Sequence, residues 1–250
     1  MDLIKIALGD YPRYEELLLR KDKFEKEAVQ WYNAYIKVFG KYLIDLFRIK
    51  VECIRLKKLI SYAQAEINKG FTPKLDEISA VVDEQMKSYY EELDVMIKDH
   101  DASMKSKSVP AHVTLKIKKI YREIAKILHP DINPETSKDP DLLDLWNRVS
   151  VAYKCNNLEE IEELQVLVNK ALGEKGIDVS KIVVPDIEEK IKKLEEKINE
   201  IITTDPYNYK FILEDKEETE QMIQDFENEK KEYDNYRQEL ENILSELTGD

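Results

Sequence analysis

The tripeptide His129-Pro130-Asp131 is the most chemically informative stretch of the chain. An imidazole and a carboxylate two positions apart, on a turn stiffened by proline, make a preordered polar loop. Such a loop can donate, accept and carry charge, and it loses little entropy on docking. Residue 129 must leave any helix before it, because a following proline disfavours the α conformation. Upstream, Lys118, Lys119, Arg122 and Lys126 form a basic stripe; positions 118, 122 and 126 are one helical turn apart. Hydrogen bonding and charge docking are the chemistry on offer. No Gly-rich phosphate loop, nucleophile elbow or metal-ligand cluster is legible, so the expectation is no enzyme and no cofactor. His100 and His112 have no partners at useful spacing and are expected at the surface. Cys53 and Cys155 are far apart in sequence, without ligand neighbours, which implies neither a disulfide framework nor a zinc site.

Elements on both sides must position this loop. Before it, Leu115, Ile117, Tyr121, Ile124, Ala125 and Leu128 can share the inward face of one helix, leaving the basic stripe outward. After it, Asn133-Pro134 and Asp139-Pro140 bound a polar loop, with Asp139 or Asp141 available to cap the next helix. Trp146, Val149, Ala152 and Tyr153 mark that helix. Asn157 followed by Glu160 resembles an N-cap arrangement opening another, with Leu158, Ile161, Leu164, Leu167 and Val168, stopped near Gly173.

Further out the chain reads as long helices. Gly (6) and Pro (8) are scarce and 36% of residues are charged, a composition of helices and coiled coil rather than sheet. From Phe24 to Ile67 apolar residues recur in steps of three and four, through Trp31, Tyr35, Val38, Tyr42, Leu46, Ile49 and Cys53. An extra step of four between Tyr42 and Leu46 is a stutter beside Gly40, expected to unwind the coil locally. Gly70 to Pro73 is a stop and turn. Leu75, Ile78, Val82, Tyr89, Leu93 and Met96 supply the returning stripe. Ile187, Ile191, Leu194, Ile198 and Ile201 keep a heptad, and Met222 to Leu247 are expected to return on it as a second hairpin.

The net charge is −13, and residues 186 to 250 carry 21 acidic against 9 basic side chains. Acidic surface cannot replace counterions around phosphates, which argues against a generic nucleic-acid binder and disfavours a nucleic-acid-associated coiled coil. The exception, Lys116 to Lys126, suits an acidic protein partner. No apolar run reaches membrane-spanning length, and the reading is cytoplasmic, without membrane contact.

A basic helix, a His-Pro-Asp turn and a helix with Trp146, Val149, Ala152 and Tyr153 resemble the core of a J-domain, the module by which DnaJ-like co-chaperones engage DnaK-type ATPase chaperones. The resemblance covers about 45 of the 250 residues. It implies that His129, Pro130 and Asp131 contact a DnaK-type ATPase chaperone, and that Lys118, Lys119, Arg122 and Lys126 face an acidic groove on it. It implies no bond chemistry by this chain; the partner's ATP hydrolysis would be accelerated. The chain departs from the family in lacking a Tyr-x-x-Leu-Gly helix just before the basic one, the short basic terminal helix, the Gly/Phe-rich linker and the paired-Cys substrate domain.

The expected architecture is all-α, with two long antiparallel coiled-coil hairpins flanking a J-like unit. Residues 1–100 would hold a lead-in and the first hairpin, 101–109 a linker, 110–173 the J-like unit, 174–184 a linker and 185–250 the acidic second hairpin. The expected function is a co-chaperone whose coiled coils select a client or partner. The alternative is a coiled-coil scaffold or adaptor carrying an inactive J-like unit. The same periodicity serves a hairpin or two chains, so a homodimer stays open.

Overall fold

The computed structural model describes residues 2–105, 109–175 and 186–249. It is all-α: nine helices and no strand occur among the described residues. Two compact units form, Met1–Val29 with Lys107–Asn208, and Gln30–Ser106 with Tyr209–Asp250. Helix α1, Asp2–Asn68, is continuous and contributes to both, so the units do not follow the expected segment boundaries. Pro12 lies inside it, and the lead-in is therefore already helical.

The first unit is built on α3 (Ala111–Leu128), α4 (Pro134–Lys138), α5 (Pro140–Lys154) and α6 (Leu158–Lys175). Their apolar stripes close one core: Tyr121, Ile124 and Leu128 meet Trp146, Val149 and Tyr153, with Ile161, Leu164, Val168 and Leu172 closing the third side. Burying each such side chain stabilises by about 1.5–3 kcal/mol. Leu115 does not join them; it is 67% exposed, and Ile120 is buried instead, because a three-helix core needs the stripe in its middle and last turns. Leu167 is likewise exposed while Val168 is buried.

Local chemistry sets the element ends. Asp139 accepts from the N–H groups of Asp141 and Leu142 at 3.0 and 3.2 Å, capping α5, whose first residue is Pro140. Asn156, at φ 54°, takes the left-handed conformation that closes α5. Asn157 then accepts from Glu160 N–H at 3.2 Å and opens α6.

The same unit holds the first part of α1 and helix α7, Ile187–Thr203. Arg13 pairs with Glu195 at 2.6 Å, and Phe24 meets Tyr207 edge-on, so the two segments run parallel. Tyr14, Leu17 and Leu18 pack with Ile187, Ile191 and Ile198, and with Ile132 from the loop after α3.

In the second unit α2, Leu75–Lys105, runs antiparallel to α1: Arg55 bonds Asp83 and Ser79, whereas Asn33 bonds Ser103. Helix α2 continues through residues read as linker, and Ser103 is buried. Helices α8 (Tyr209–Glu214) and α9 (Lys216–Thr248) also belong here, and α9 runs parallel to α1 through Lys50–Glu229, Cys53–Tyr233 and Glu52–Arg237 contacts.

The expected second hairpin is therefore not a unit of its own. Helix α7 belongs to the first unit and α8 and α9 to the second, each seated on a part of α1. A heptad states that a seam exists, not which helix fills it. Two neighbours also explain why α1 buries a wider band than one seam: Phe39, Ile44, Val51 and Leu59 are buried beside Leu46, Ile49 and Cys53, while Val38 is exposed. At Gly40 the helix does not break. A Cβ there would stand 2.5 Å from His100 Cδ2, so the glycine serves close approach of α2, and His100 is half-buried. The expected linker 174–184 lies almost wholly outside the described residues, as does the proline at 185. No helix among the described residues is long and apolar enough to cross a membrane.

Candidate functional site

The loop expected to carry function sits where α3 ends. His129 N–H still donates to Ala125 O at 3.0 Å, and the residue then turns out of the helix at ψ 127°, as the following Pro130 requires. The His129 carbonyl accepts two N–H groups, from Ile132 at 2.9 Å and Asn133 at 2.7 Å. Its ring nitrogen Nδ1 accepts from Asp131 N–H at 3.1 Å, which puts the ring proton on Nε2. The ring lies 4.6 Å from Trp146, and the residue is 5% exposed. Burial pushes its pKa below the ordinary value of 6.5, against the pull of Asp22 and Asp131, so the imidazole is neutral at pH 7.

Asp131 faces outward, its side chain 54% exposed, with one carboxylate oxygen 4.0 Å from His129 Nδ1. Asn133 fixes the rest of the turn. Its Nδ2 donates to Ile127 O at 3.0 Å and its Oδ1 accepts from Glu135 N–H at 3.1 Å, so one buried side chain ties the end of α3 to the start of α4. In the sequence Asn133-Pro134 marks a loop boundary, and Asn before Pro is also a helix-start signal.

Helix α1 supplies partners that the sequence did not disclose. Asp22 is buried, and its carboxylate accepts from Tyr121 O–H at 2.6 Å. Lys26 is buried too; its Nζ donates to Tyr153 O at 2.7 Å and stands 4.0 Å from the centre of the Tyr153 ring. That carbonyl lies in the last turn of α5, where a cation is favoured. Burial, with Lys118 nearby, nevertheless lowers Lys26 to about 8. Burial raises Tyr153 to about 12 and moves Tyr121 up further, helped by Asp22. In sequence, Asp22 and Lys26 are two charges among many in a charged helix, and only the partner across the fold separates them from a solvated face.

The basic stripe is divided. Lys118, Arg122 and Lys126 line a groove of about 460 Å³ with Glu15, Glu16, Arg20 and Lys23 of α1. Lys126 is held there by Glu15 at 3.0 Å. Lys118 is half-buried, and its pKa falls through burial first, then through Lys23 and Arg122. Lys119 is exposed and does not line the groove. The loop opens elsewhere, into a cavity of about 300 Å³ lined by Lys21, Asp22, Glu25, Tyr121, His129, Pro130, Asp131, Trp146 and Tyr153, among others. The two hollows share no lining residue, and α1 contributes a different flank to each. The loop thus follows the helix that carries the stripe, but the two do not form one continuous open face.

Hydrogen bonding by Asp131 and charge attraction by the groove are the interactions this arrangement offers to another molecule. Among the described residues no group of three His, Cys, Asp or Glu could hold a metal ion. Comparison with protein-family models, with curated proteins and with solved structures finds no match to this chain.

Proposed function

We propose that this chain is a co-chaperone that recruits a DnaK-type ATPase chaperone and stimulates its ATP hydrolysis, in a reducing, cytoplasmic setting. The observation that carries the reading is the loop's construction. His129 orders the Asp131 amide, Asn133 staples the turn to both flanking helices, and the Asp131 carboxylate stays exposed. A loop so ordered in advance loses little entropy when it docks. The long helices of the second unit would select the client or partner, and no bond chemistry is assigned to the chain itself.

Two observations favour a second reading, in which the J-like unit is an inactive part of a scaffold. His129 is buried, and Tyr121 is occupied by Asp22 of α1. Single-turnover ATP hydrolysis by a DnaK-type chaperone from the same organism separates the two. Stimulation by the wild type, lost in Asp131→Asn with helicity intact, supports the co-chaperone. No stimulation by either folded protein supports the scaffold.

A further inference from the structure

The groove between α1 and α3 places cations from two distant parts of the chain opposite one another. Arg20 and Lys23 come from α1, and Lys118 and Arg122 from α3. Among the described residues, Arg20, Lys118 and Arg122 have no carboxylate at ion-pair distance, and Lys23 has Glu27 at 3.4 Å. Lys126 at the groove's end is neutralised by Glu15, and Glu16 also lines it. A protein with net charge −13 here concentrates like charge, and Lys118 is pushed toward its neutral form by burial first and then by Lys23 and Arg122, against the pull of Glu27. Such a cluster is relieved by an anionic partner.

Helix α1 is no removable cover over this site. Tyr14 and Leu18, on the same stretch, are fully buried against Ile132 and Ile187, so lifting α1 would expose the unit's own core. The surface left to a partner includes α1.

We propose that Arg20 and Lys23 of α1 join Lys118 and Arg122 of α3 in a four-cation groove that takes an acidic segment of the partner ATPase chaperone. This rests on the co-chaperone reading and changes which residues dock. Lys119 drops out, Lys126 is withheld by Glu15, and α1 adds two cations that lie outside the resemblance. From Lys118 to Lys126 the groove wall runs eight residues of helix, about 12 Å, which matches about four residues of extended chain. Four cations along a wall this short complement a few carboxylates of a short acidic peptide segment.

The test is binding of the full chain to the DnaK-type chaperone over a salt series, with ATPase stimulation measured alongside. Arg20→Glu with Lys23→Glu should raise Kd on the order of tenfold at low salt and flatten its salt dependence. Lys118→Gln with Arg122→Gln should weaken binding from the opposite wall, which guards against a misfolded α1 variant. Lys119→Glu should stay within about twofold of wild type. Wild-type affinity and salt slope in both groove variants would overturn the groove, and stimulation that still depends on Asp131 would leave the co-chaperone reading standing. A wild-type chain that neither binds nor stimulates would overturn both. Groove-dependent binding of duplex DNA, with none to the chaperone, would overturn the acidic-peptide assignment.

Discussion

Tyr121 and Asp22 are 99 positions apart in sequence, yet the tyrosine hydroxyl donates to the aspartate carboxylate at 2.6 Å, with both residues buried. The bond ties the middle of α3 to α1, beside the cavity into which the His-Pro-Asp loop opens. Tyr121→Phe would leave a buried carboxylate without its hydroxyl donor, at a cost of about 1–3 kcal/mol. Urea unfolding of Tyr121→Phe, Asp22→Ala and the double variant should show a coupling energy above about 0.5 kcal/mol. Simple additivity would mean that the contact contributes nothing.

Lys26 gives the fold a distinctive alkaline behaviour. Its pKa is about 8 when folded against 10.5 ordinarily, so between those values the unfolded chain binds more protons. Stability should therefore rise with pH from about 8 toward 10.5. Tyr121 and Tyr153 act in the opposite sense, because their pKa values are raised above 10.0 and their contribution is lost as pH climbs beyond that value. Melting temperature should pass through a maximum near pH 10. In Lys26→Met the rise above pH 8 should vanish while the alkaline fall persists; an unchanged profile would mean that Lys26 is solvated.

His129 sets the acid side. It is buried and neutral, with its pKa below 6.5, so acid favours the unfolded chain. The stability it contributes is present above 6.5 and is lost as pH falls below it. Thermal melts from pH 7.5 to 5 should slope downward for wild type and less steeply for His129→Gln. Equal slopes would show that the carboxylates alone govern acid unfolding.

Gly40 offers a sharp steric test. Alanine has the better helix propensity by about 1 kcal/mol. Its Cβ, however, would fall 2.5 Å from His100 Cδ2 and 3.2 Å from Ile36 Cγ2. Gly40→Ala should therefore destabilise by about 1–3 kcal/mol net, as overpacking does. His100→Ala in the same chain should restore stability to wild type or better. A stabilised single variant would show that the helices move apart freely.

Much of the local structure was legible in the residues. The stops at Gly70 and before Pro130, the caps at Asp139 and Asn157, and the core positions Trp146, Val149, Ala152 and Tyr153 all follow from short-range chemistry. They were readable because a cap, a proline or an amphipathic period acts within one or two turns. The exposed Leu115, the close approach at Gly40 and the wide buried band of α1 were not, since each depends on how many neighbours a helix has.

Helicity, the places where helices stop, and a His-Pro-Asp turn after a basic helix are all written into the residues. Those properties are encoded in backbone preference and local side-chain spacing. Packing alone brings α7 and α9 each along α1, makes Asp22 and Lys26 buried partners of Tyr121 and Tyr153, and sets Arg20 and Lys23 in one groove with Lys118 and Arg122. Apolar stripes are non-directional and charges pair with whatever packing brings near, so nothing in a heptad or a lysine names its partner.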